Sequence, residues 1–360
     1  MNWSLLHARV HQTLRSRQLL RRNQRLLVAV SGGQDSLCLL QMMQDLQPRW
    51  QWHLGVIHCD HQWRSDSAAN AQFVKEWVET KQIPFYLRVY SGSPEPSNLS
   101  LANPPQANPF SIHSEAAARQ WRYQQFLQVA NQYEFDVVLT GHTASDRAET
   151  LLYNLMRGCG SDGLGALQWK RSWMPEVMPD KVMPDKVIPQ EGNPIVIVRP
   201  LLEIQRHETA EFCQTFNLPI WDDTTNHDRQ YQRNRIRLDL LPYLQEYFNP
   251  QVALHLSRTA ELIQADVDYL EQEAQAQRSH LQANHKLHRS SLQKLPLAIQ
   301  RRIIRQFLQE QLPAQPSYDH IEKMVGLIQA PQRTQTDPFP GGTIAWVEGE
   351  WIILDRKHTS

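Results

Sequence analysis

The sequence predicts an α/β fold, a doubly wound and mostly parallel sheet, followed by a second, smaller, mostly helical C-terminal domain. Short apolar runs typical of buried strands alternate with amphipathic stretches typical of helices. The first of these strands ends in a glycine turn that opens a helix, at residues 31–36. Beyond about residue 250 the strand signals give way to long helical patterns. These three observations together favour a sheet domain followed by a helical one.

Each predicted element follows from its local pattern of apolar residues. The predicted strands cover residues 26–30, 52–58, 85–89, 136–140 and 195–198. The predicted helices cover 3–24, 67–81, 206–216, 254–277, 290–311 and 318–329, in addition to helices that follow the glycine turn, residue 114 and residue 141. A terminal hairpin is predicted from 343–346 and 350–355.

The same patterns divide the chain into parts. We expect a first domain over 1–226, a linker helix over 227–250 and an accessory domain over 251–360 that ends in the hairpin. Two stretches, 91–111 and 171–194, are rich in proline and interrupt the alternation, so we predict that they are loop insertions.

Composition limits the classes of protein to which the chain can belong. Lys plus Arg and Asp plus Glu each total 37, so net charge alone predicts neither a nucleic-acid partner nor a membrane. No apolar run approaches the length of about 18 residues that a membrane helix needs. The four cysteines form no Cys-x-x-Cys pair. We therefore expect a cytoplasmic protein without a membrane partner.

Two groups of arginines permit two interpretations each. The first segment carries six arginines before any acid, and residues 301–305 carry three more beside an apolar face. Either group could contact the phosphates of an RNA, or form an ordinary charged helix face.

Residues 31–36, Ser-Gly-Gly-Gln-Asp-Ser, carry the clearest chemical signal. They lie between a buried strand and a helix, where glycines let backbone N–H groups and the positive helix end approach an anion. Neither Gly-x-x-x-x-Gly-Lys-Ser/Thr nor Gly-x-Gly-x-x-Gly is present here. The loop therefore predicts a phosphate site of another kind.

A second polar cluster follows the predicted strand at 136–140. If the helix begins at residue 141, then His142, Asp146 and Glu149 occupy positions i, i+4 and i+7 and project from one stripe. Two carboxylates and an imidazole could coordinate Mg²⁺ or orient an amine nucleophile. On the helix before that strand, Arg119 and Arg122 share a face.

Taken in order, the motifs resemble the tRNA(Ile)-lysidine synthetase family over most of residues 1–250. The resemblance is carried by Ser31-Gly-Gly-Gln-Asp-Ser36, Asp60-His61 with Arg64, Glu115-Ala-Ala-Ala-Arg119 with Arg122-Tyr123, Gly141-His142 with Asp146 and Glu149-Thr150, Arg157-Gly158, Arg199-Pro-Leu-Leu202, Asp223, Asn226, Asp228, Tyr231 and Arg233-Asn-Arg-Ile-Arg237.

The resemblance implies an adenine nucleotide alpha hydrolase-like fold, with ATP and Mg²⁺ as cofactors. It also implies L-lysine and a CAU-anticodon tRNA(Ile) as substrates. In the family's reaction, ATP adenylates the C2 oxygen of the wobble cytidine, and the ε-amine of lysine displaces AMP to give lysidine. The codon specificity changes from AUG to AUA. A homodimer is one state that the sequence leaves open.

Roles for single residues follow from the same resemblance. The resemblance assigns the metal to Asp35 and the ATP contacts to Ser31, Gly32, Gly33, Gln34, Asp35, Ser36, Ile57, His58 and Asp60. Catalytic roles fall on Asp35, Arg119, Arg122, His142, Asp146 and Glu149. tRNA contacts fall on Arg64, Arg157, Arg199, Arg233, Asn234, Arg235 and Arg237. Residues 1–226 become the ATP-pyrophosphatase (PP-loop) catalytic domain, and 251–360 a tRNA-binding domain.

The chain departs from the family pattern in one motif. The usual His-His-x-Asp-Asp-Gln is replaced by His-Thr-Ala-Ser-Asp-Arg at 142–147. This substitution is the feature that favours an alternative, a catalytically impaired module that binds nucleotide or tRNA. A thiolase of the same loop class would normally need paired cysteines, which the sequence lacks. Either Asp146 or Glu149 could be the general base.

Overall fold

The computed structural model describes residues 3–63, 65–90, 115–173, 194–222 and 228–356. The chain divides into two compact units, Met1–Glu261 and Leu262–Ser360. This division lies later in the chain than the predicted boundary at 250/251. The predicted insertion at 91–111 and most of the one at 171–194 lie outside the described residues, and so do Arg64, Asp223 and Asn226.

The first unit alternates strands and helices. Its strands are β1 (Arg25–Ala29), β2 (His53–Asp60), β3 (Phe85–Val89), β4 (Val137–Thr140), β5 (Lys170–Trp173) and β6 (Ile195–Val198). Its helices are α1 (Leu5–Ser16), α2 (Gln34–Trp50), α3 (Ser67–Thr80), α4 (Glu115–Gln132), α5 (Ala144–Met156), α6 (Ser161–Leu164), α7 (Arg206–Thr215), α8 (Gln232–Arg235) and α9 (Leu241–Tyr247), with a π-helical turn at Ile236–Leu240. Helix α10 (Val252–Leu281) follows and contains the division between the units.

The six strands form one sheet in the order β3-β2-β1-β4-β6-β5. All neighbouring pairs are parallel except β5 and β6. The expected doubly wound, mostly parallel α/β class is therefore confirmed. The carboxyl ends of β1, β2 and β4 meet at one edge, where ligands bind in open sheets of this kind.

Strand β1 shows why the sheet is covered on both faces. Leu26 and Val28 pack with α1, α2 and α7 on one side, while Leu27 packs with α4 on the other. All three side chains are fully buried. A continuous apolar run is expected in such a strand, because successive side chains point to opposite faces that are both covered.

Three predicted boundaries are wrong. Helix α1 ends at Ser16 instead of residue 24, and the chain turns at Gln18 with a left-handed φ of 49°. Residues 171–173, predicted as loop, extend the sheet as strand β5. Helix α5 begins at Ala144 instead of residue 141, since Thr143 is its N-cap. Local pattern identified the elements but not these ends.

The second unit is smaller and has its own core. It contains the rest of α10, then β7 (Gln282–Ala283), β8 (Lys286–His288), α11 (Arg289–Gln293), α12 (Leu297–Gln311), α13 (Tyr318–Leu327), β9 (Thr343–Glu348) and β10 (Trp351–Arg356). Strands β9 and β10 form the terminal hairpin of a four-stranded sheet. In the described ranges of the whole chain, no helix is both long and apolar enough to cross a membrane.

The arginines of α12 face acids of the same unit. Arg301 pairs with Glu322 at 2.7 Å, and Arg302 and Arg305 pair with Glu271 at 3.2 and 2.5 Å. Of the two interpretations that the sequence permitted, the ion-paired helix face matches these contacts.

A network of ion pairs ties α1, α5 and α10 together within the first unit. Arg147 of α5 is fully buried and donates to Glu261 of α10 at 3.2 Å. Arg17, just after α1, contacts the same carboxylate at 2.6 Å and Glu203 at 3.0 Å. Because Arg147 has lost its hydration, Glu261 is needed to compensate its charge.

We predict that Glu261→Gln lowers the free energy of unfolding by about 3 kcal/mol, since it leaves the buried Arg147 cation uncompensated. Urea denaturation followed by tryptophan fluorescence measures the change. Glu79→Gln is the matched control, because Glu79 forms an exposed pair with Lys75 at 3.8 Å. The control should change stability by about 0.5 kcal/mol or less. A loss for Glu261→Gln no larger than the control's would contradict the interpretation.

Candidate active site

The loop between β1 and α2 has the backbone of an anion site. Gly32 has a φ of +91°, a conformation that L side chains rarely adopt. Gly33 is the N-cap of α2 and has no side chain to cap the helix. Ser36 Oγ bonds back to the Gly33 carbonyl at 2.8 Å and accepts from Ser31 N at 3.2 Å. The first N–H groups of α2 therefore point out of the helix end towards a ligand position.

Neighbouring elements hold this loop tightly. A Cβ on Gly32 would lie 2.5 Å from Asn70 Oδ1, and Asn70 itself donates to the Ser31 carbonyl at 3.1 Å. Trp221 N donates to the Gly32 carbonyl at 3.0 Å. A Cβ on Gly141, which follows β4, would lie 2.8 Å from the Asp35 carbonyl oxygen. The loop thus has contacts to three other parts of the first unit.

Asp35 is the acid of the loop and is held by α7. Thr209 Oγ1 donates to Asp35 Oδ1 at 2.5 Å, and Arg206 lies 3.3 Å from Oδ2. Burial raises the pKa of Asp35, while Arg206 opposes that shift. The charge of Asp146 also acts on this carboxyl, which places the two acids near each other.

His142 precedes helix α5, so the predicted stripe of three residues on one helix is wrong for this residue. Thr143 caps the helix, and His142 shares a hydrogen bond of 2.8 Å with Thr140 Oγ1. Burial and then the charge of Arg199 lower the pKa of His142 to about 3. Asp146 also acts on the imidazole, so the two residues remain close. The imidazole is neutral at any ordinary pH.

Asp146 and Glu149 share one arginine, Arg237 from the π-helical turn. Arg237 donates to both oxygens of Glu149 at 2.7 Å and to Asp146 Oδ1 at 3.1 Å. Burial raises the pKa of Glu149, although Arg237 opposes it. Burial would also raise the pKa of Asp146, but His142 and Arg237 outweigh it and the pKa is lowered. The two acids therefore differ in proton affinity.

Two arginines that were expected to contact tRNA, Arg199 and Arg237, are instead paired within the protein. Arg237 is engaged by the acids as described, and Arg199 is fully buried. Arg199 donates to the Gln168 carbonyl at 2.6 Å and to the Tyr123 hydroxyl at 3.4 Å. The sequence could not show which arginines are buried, because buried and exposed arginines both occur in the motifs that carry the resemblance.

Arg119 and Arg122 of α4 add positive charge to this edge. Arg119 donates to the Tyr123 hydroxyl at 3.0 Å, and both arginines act electrostatically on His142. Burial would raise the pKa of Tyr123, but Arg119 and Arg199 outweigh it and the pKa is lowered. A group of cations around a neutral imidazole favours an anionic ligand.

The residues expected at the end of β2 are largely internal. Ile57, His58 and Asp60 are all buried. His58 Nδ1 lies 2.8 Å from the Val30 carbonyl, and Asp60 Oδ1 accepts from Gln62 N at 2.7 Å. These contacts shape the strand ends beside the phosphate loop.

The remaining expected tRNA residues lie nearer the surface. Arg157 donates to the Tyr153 hydroxyl at 2.9 Å, and Arg233 lies 5.5 Å from the centre of the same ring. Asn234 donates to the Asp228 carbonyl at 2.9 Å, and Arg235 is exposed.

Each departure from the family motif has a structural contact. Thr143 and Asp146 form a capping box, in which Thr143 N donates to Asp146 Oδ2 at 2.8 Å. Ser145 Oγ accepts from Arg206 N at 3.3 Å, and Arg147 pairs with Glu261. The substitutions therefore leave Asp146 and Glu149 in place.

Sequence analysis missed Arg206 and Thr209, which hold Asp35. Both lie on α7, far along the chain from the loop, and no short motif marks them. Arg206 follows Arg199 by only seven positions, but nothing in the spacing indicates that its side chain returns to the loop.

Comparison with known proteins defines the class and then the family. A profile described as PP-loop domain matches residues 5–244, and one described as TilS substrate binding domain matches 287–350. This is the PP-loop class, which uses ATP. A Nostoc protein named tRNA(Ile)-lysidine synthase is 51% identical, covering 98% of each chain. A Synechocystis protein of the same name is 46% identical, again covering 98% of each. The chain belongs to the tRNA(Ile)-lysidine synthase family.

More distant comparisons agree with the fold. A chloroplastic tRNA(Ile)-lysidine synthase of Zygnema circumcarinatum is 35% identical, covering 88% of this chain and 78% of that protein. The solved structure of a U34-tRNA thiolase from Methanococcus maripaludis matches with a TM-score of 0.53 at 16% identity. That match covers 72% of this chain and 78% of the thiolase. It shows a shared fold.

We predict that Gly32→Ala weakens ATP binding about 10-fold or more, which corresponds to a loss of roughly 1.4 kcal/mol or more in binding free energy. The added Cβ would meet Asn70 Oδ1 at 2.5 Å and shift the loop. Gly158→Ala is a matched control, since Gly158 also has a positive φ, of +72°, but a Cβ added there would meet nothing within 4 Å. Isothermal titration with ATP measures both. Equal affinity losses would assign the effect to backbone strain rather than to the loop.

Proposed function

We propose that this protein joins L-lysine to C2 of the wobble cytidine in a CAU-anticodon tRNA(Ile), with ATP converted to AMP and pyrophosphate. One observation carries the proposal. The phosphate loop and the acid pair Asp146 and Glu149 lie against each other at one sheet edge, in a chain whose relatives are named tRNA(Ile)-lysidine synthase. The product, lysidine, changes codon specificity from AUG to AUA.

The two halves of the site suit two successive steps. In the first, the C2 oxygen attacks the α-phosphorus of ATP and pyrophosphate leaves. In the second, the ε-amine of lysine attacks C2, the bond from C2 to the AMP oxygen breaks, and the amine loses a proton. The phosphate loop serves the first step, and the acids serve the second. Holding both at one edge keeps the reacting groups in a productive geometry.

The loop binds the ATP phosphates through backbone groups. N–H groups at the start of α2 and the positive end of that helix face the anion, with Ser31 and Ser36 beside them. Gly32 and Gly33 let the phosphates approach closely. Ile57, His58 and Asp60 border the nucleotide from the end of β2.

The residues present fit a Mg²⁺ ion that arrives with ATP. In the described ranges, no group of three His, Cys, Asp or Glu residues could hold a metal on its own. Mg²⁺ is usually held by one or two carboxylates together with substrate phosphates. Asp35 would hold the ion, with Asp146 close enough to interact. When bound, the ion would neutralise negative charge on the departing pyrophosphate.

The different proton affinities of the two acids suggest separate roles in lysine binding. Free lysine carries an ammonium group with a pKa of about 10.4, so a base must remove a proton. Asp146, whose pKa is lowered, stays ionised and attracts the ammonium. Glu149, whose pKa is raised, is the stronger base of the two and accepts the proton. Neutral His142 orients the amine by hydrogen bonding.

Arg119 and Arg122 face the activated base and the AMP phosphate. Their charges converge near His142 at the same edge as the loop. In a partly desolvated site, such cations stabilise the negative charge that develops on the departing AMP.

Contacts with tRNA phosphates fall on Arg157, Arg233, Asn234 and Arg235, which lie near the surface. The unit Leu262–Ser360 adds a tRNA-binding surface, since a TilS substrate binding domain matches residues 287–350. Residues 1–226 form the catalytic domain in this proposal. We retain the expectation of a cytoplasmic enzyme, because tRNA is its substrate, and size-exclusion chromatography tests for a homodimer.

A binding module without catalysis is not favoured. It would need the motif at 142–147 to have lost its catalytic geometry. The substituted residues Thr143, Ser145 and Arg147 have structural contacts, while Asp146 and Glu149 keep their pairing with Arg237.

We predict ATP-dependent incorporation of labelled lysine into a CAU-anticodon tRNA(Ile) transcript. Asp146→Asn should lower kcat/KM for lysine about 10- to 100-fold, because it removes a charge-assisted contact with the ammonium. Glu208→Gln is the matched control, since Glu208 is the capping-box acid of α7. Absence of incorporation by the wild type, with tRNA binding retained, would overturn the proposal. An equal loss in the control would assign the effect to helix capping.

We further predict that Arg237→Met moves the acidic limb of the pH profile of kcat/KM for lysine to higher pH. Arg237 lowers the pKa of Glu149, so its removal lets burial raise that pKa further. The base must be ionised to accept a proton, and a higher pKa therefore requires a higher pH. Arg233→Met, which removes a nearby cation not bonded to Glu149, should leave the limb in place. A limb that does not move in Arg237→Met excludes Glu149 as the base.

A further inference from the structure

Four aromatic side chains lie together where β2 and β3 end. The ring of His61 lies 5.4 Å from that of Trp63 and 4.9 Å from that of Trp121, and the ring of Tyr90 lies 5.7 Å from Trp121. We call these residues the His61 cluster. Of its members, only His61 is among the residues that carry the family resemblance, and none was assigned a contact with ATP, metal or tRNA.

The backbone presents this cluster at the sheet edge by a defined turn. Asp60, buried at the end of β2, accepts from Gln62 N at 2.7 Å, and Gln62 adopts a left-handed φ of 56°. Tyr90 N donates to the Asp60 carbonyl at 2.9 Å. The rings of His61 and Trp63 therefore come from a fixed turn, on the strand next to the one that ends in the phosphate loop.

Two features of the cluster are unusual for simple packing. Trp63 is 46% exposed, although an indole of this size is normally covered. His61 Nδ1 is inaccessible to solvent and has no hydrogen-bond partner among the described residues. Burial and then Arg122 lower the pKa of His61 to about 4, so the ring is neutral, with one nitrogen as a hydrogen-bond donor and the other as an acceptor.

Arg122 connects the cluster to the candidate active site. Its charge acts on His61 and also on His142, so the cluster lies within electrostatic reach of the same guanidinium as the proposed reaction centre. Aromatic faces with a neighbouring arginine are the usual means of holding an unpaired nucleobase beside a phosphate backbone.

We infer that the His61 cluster is a stacking platform for a nucleobase, with Trp63 as the open face and the His61 ring in contact with both Trp63 and Trp121. The inference rests on the proposed function, which brings two sources of nucleobase to this edge. One is an RNA base next to the modified cytidine, and the other is the adenine of ATP.

The test compares Trp63→Ala and Trp63→Phe with Trp3→Ala in the full chain. Trp3 is the matched control, because it is 39% exposed but lies against His7 and Arg49. The dissociation constants of the tRNA transcript, at several salt concentrations, and of ATP are measured for each. Circular dichroism checks that every variant is folded.

For an RNA base, Trp63→Ala should weaken tRNA binding about 10-fold, as expected for the loss of one stacked base. Trp63→Phe should recover most of that affinity. The slope of log affinity against log salt should not change, because stacking releases no counterions. For adenine, the loss should instead appear in ATP binding. Either result supports a nucleobase platform.

The inference would be overturned if Trp63→Ala lost no more affinity than Trp3→Ala for both tRNA and ATP. It would also be overturned if Trp63→Ala changed the salt slope of tRNA binding and Trp63→Phe lost as much affinity as Trp63→Ala. These results are distinguishable from failure of the proposed function. A wild type that binds tRNA without incorporating lysine would refute the reaction, while the binding titrations would still report on the platform.

Discussion

The contact between Gly141 and the backbone of Asp35 sets the geometry on which the rest of the site depends. A Cβ at Gly141 would come within 2.8 Å of the Asp35 carbonyl oxygen and 3.1 Å of Ser36 N. The end of β4 therefore lies directly against the start of α2. Because Thr143 then caps α5, the first turns of both helices are held at the same edge. The start of α2 and the acids of α5 therefore lie at one edge of the sheet.

This arrangement concentrates acids, and arginines compensate them. Asp35, Asp146 and Glu149 would repel one another in a partly desolvated site, since like charges raise each other's pKa. Arg237 contacts two of them and Arg206 the third. An ammonium or a metal ion that enters must therefore compete with cations already in place. The pKa values of Asp146 and Glu149 shift in opposite directions, because burial at Asp146 is outweighed by His142, Arg237 and the Thr143 N–H together, whereas burial outweighs Arg237 at Glu149.

The sequence was informative where the chemistry depends on residues that are contiguous along the chain. The strand before the loop, the glycine turn and the helix after it are contiguous, so their pattern predicts both the fold class and the phosphate loop. Contacts made by distant residues left no such pattern. Thr209 and Arg206 reach Asp35 from α7, and Arg237 reaches Glu149 across 88 positions. The environment of an arginine is the hardest feature to predict. Arg199 is buried, Arg237 is half-buried and Arg235 is exposed, and only the folded chain determines these differences between identical side chains.

The altered motif at 142–147 illustrates how a chain can exchange polar residues without losing the acids between them. Thr143 is a better N-cap than histidine, because its hydroxyl accepts from the helix while Asp146 bonds back to its N–H. Ser145 accepts from Arg206 N, so it joins α5 to the helix that holds Asp35. Arg147 faces away from the acids and pairs with Glu261. Each of the three substituted residues thus has a contact of its own. His142, Asp146 and Glu149 match the family pattern, and the contacts of the substituted residues leave both acids paired with Arg237.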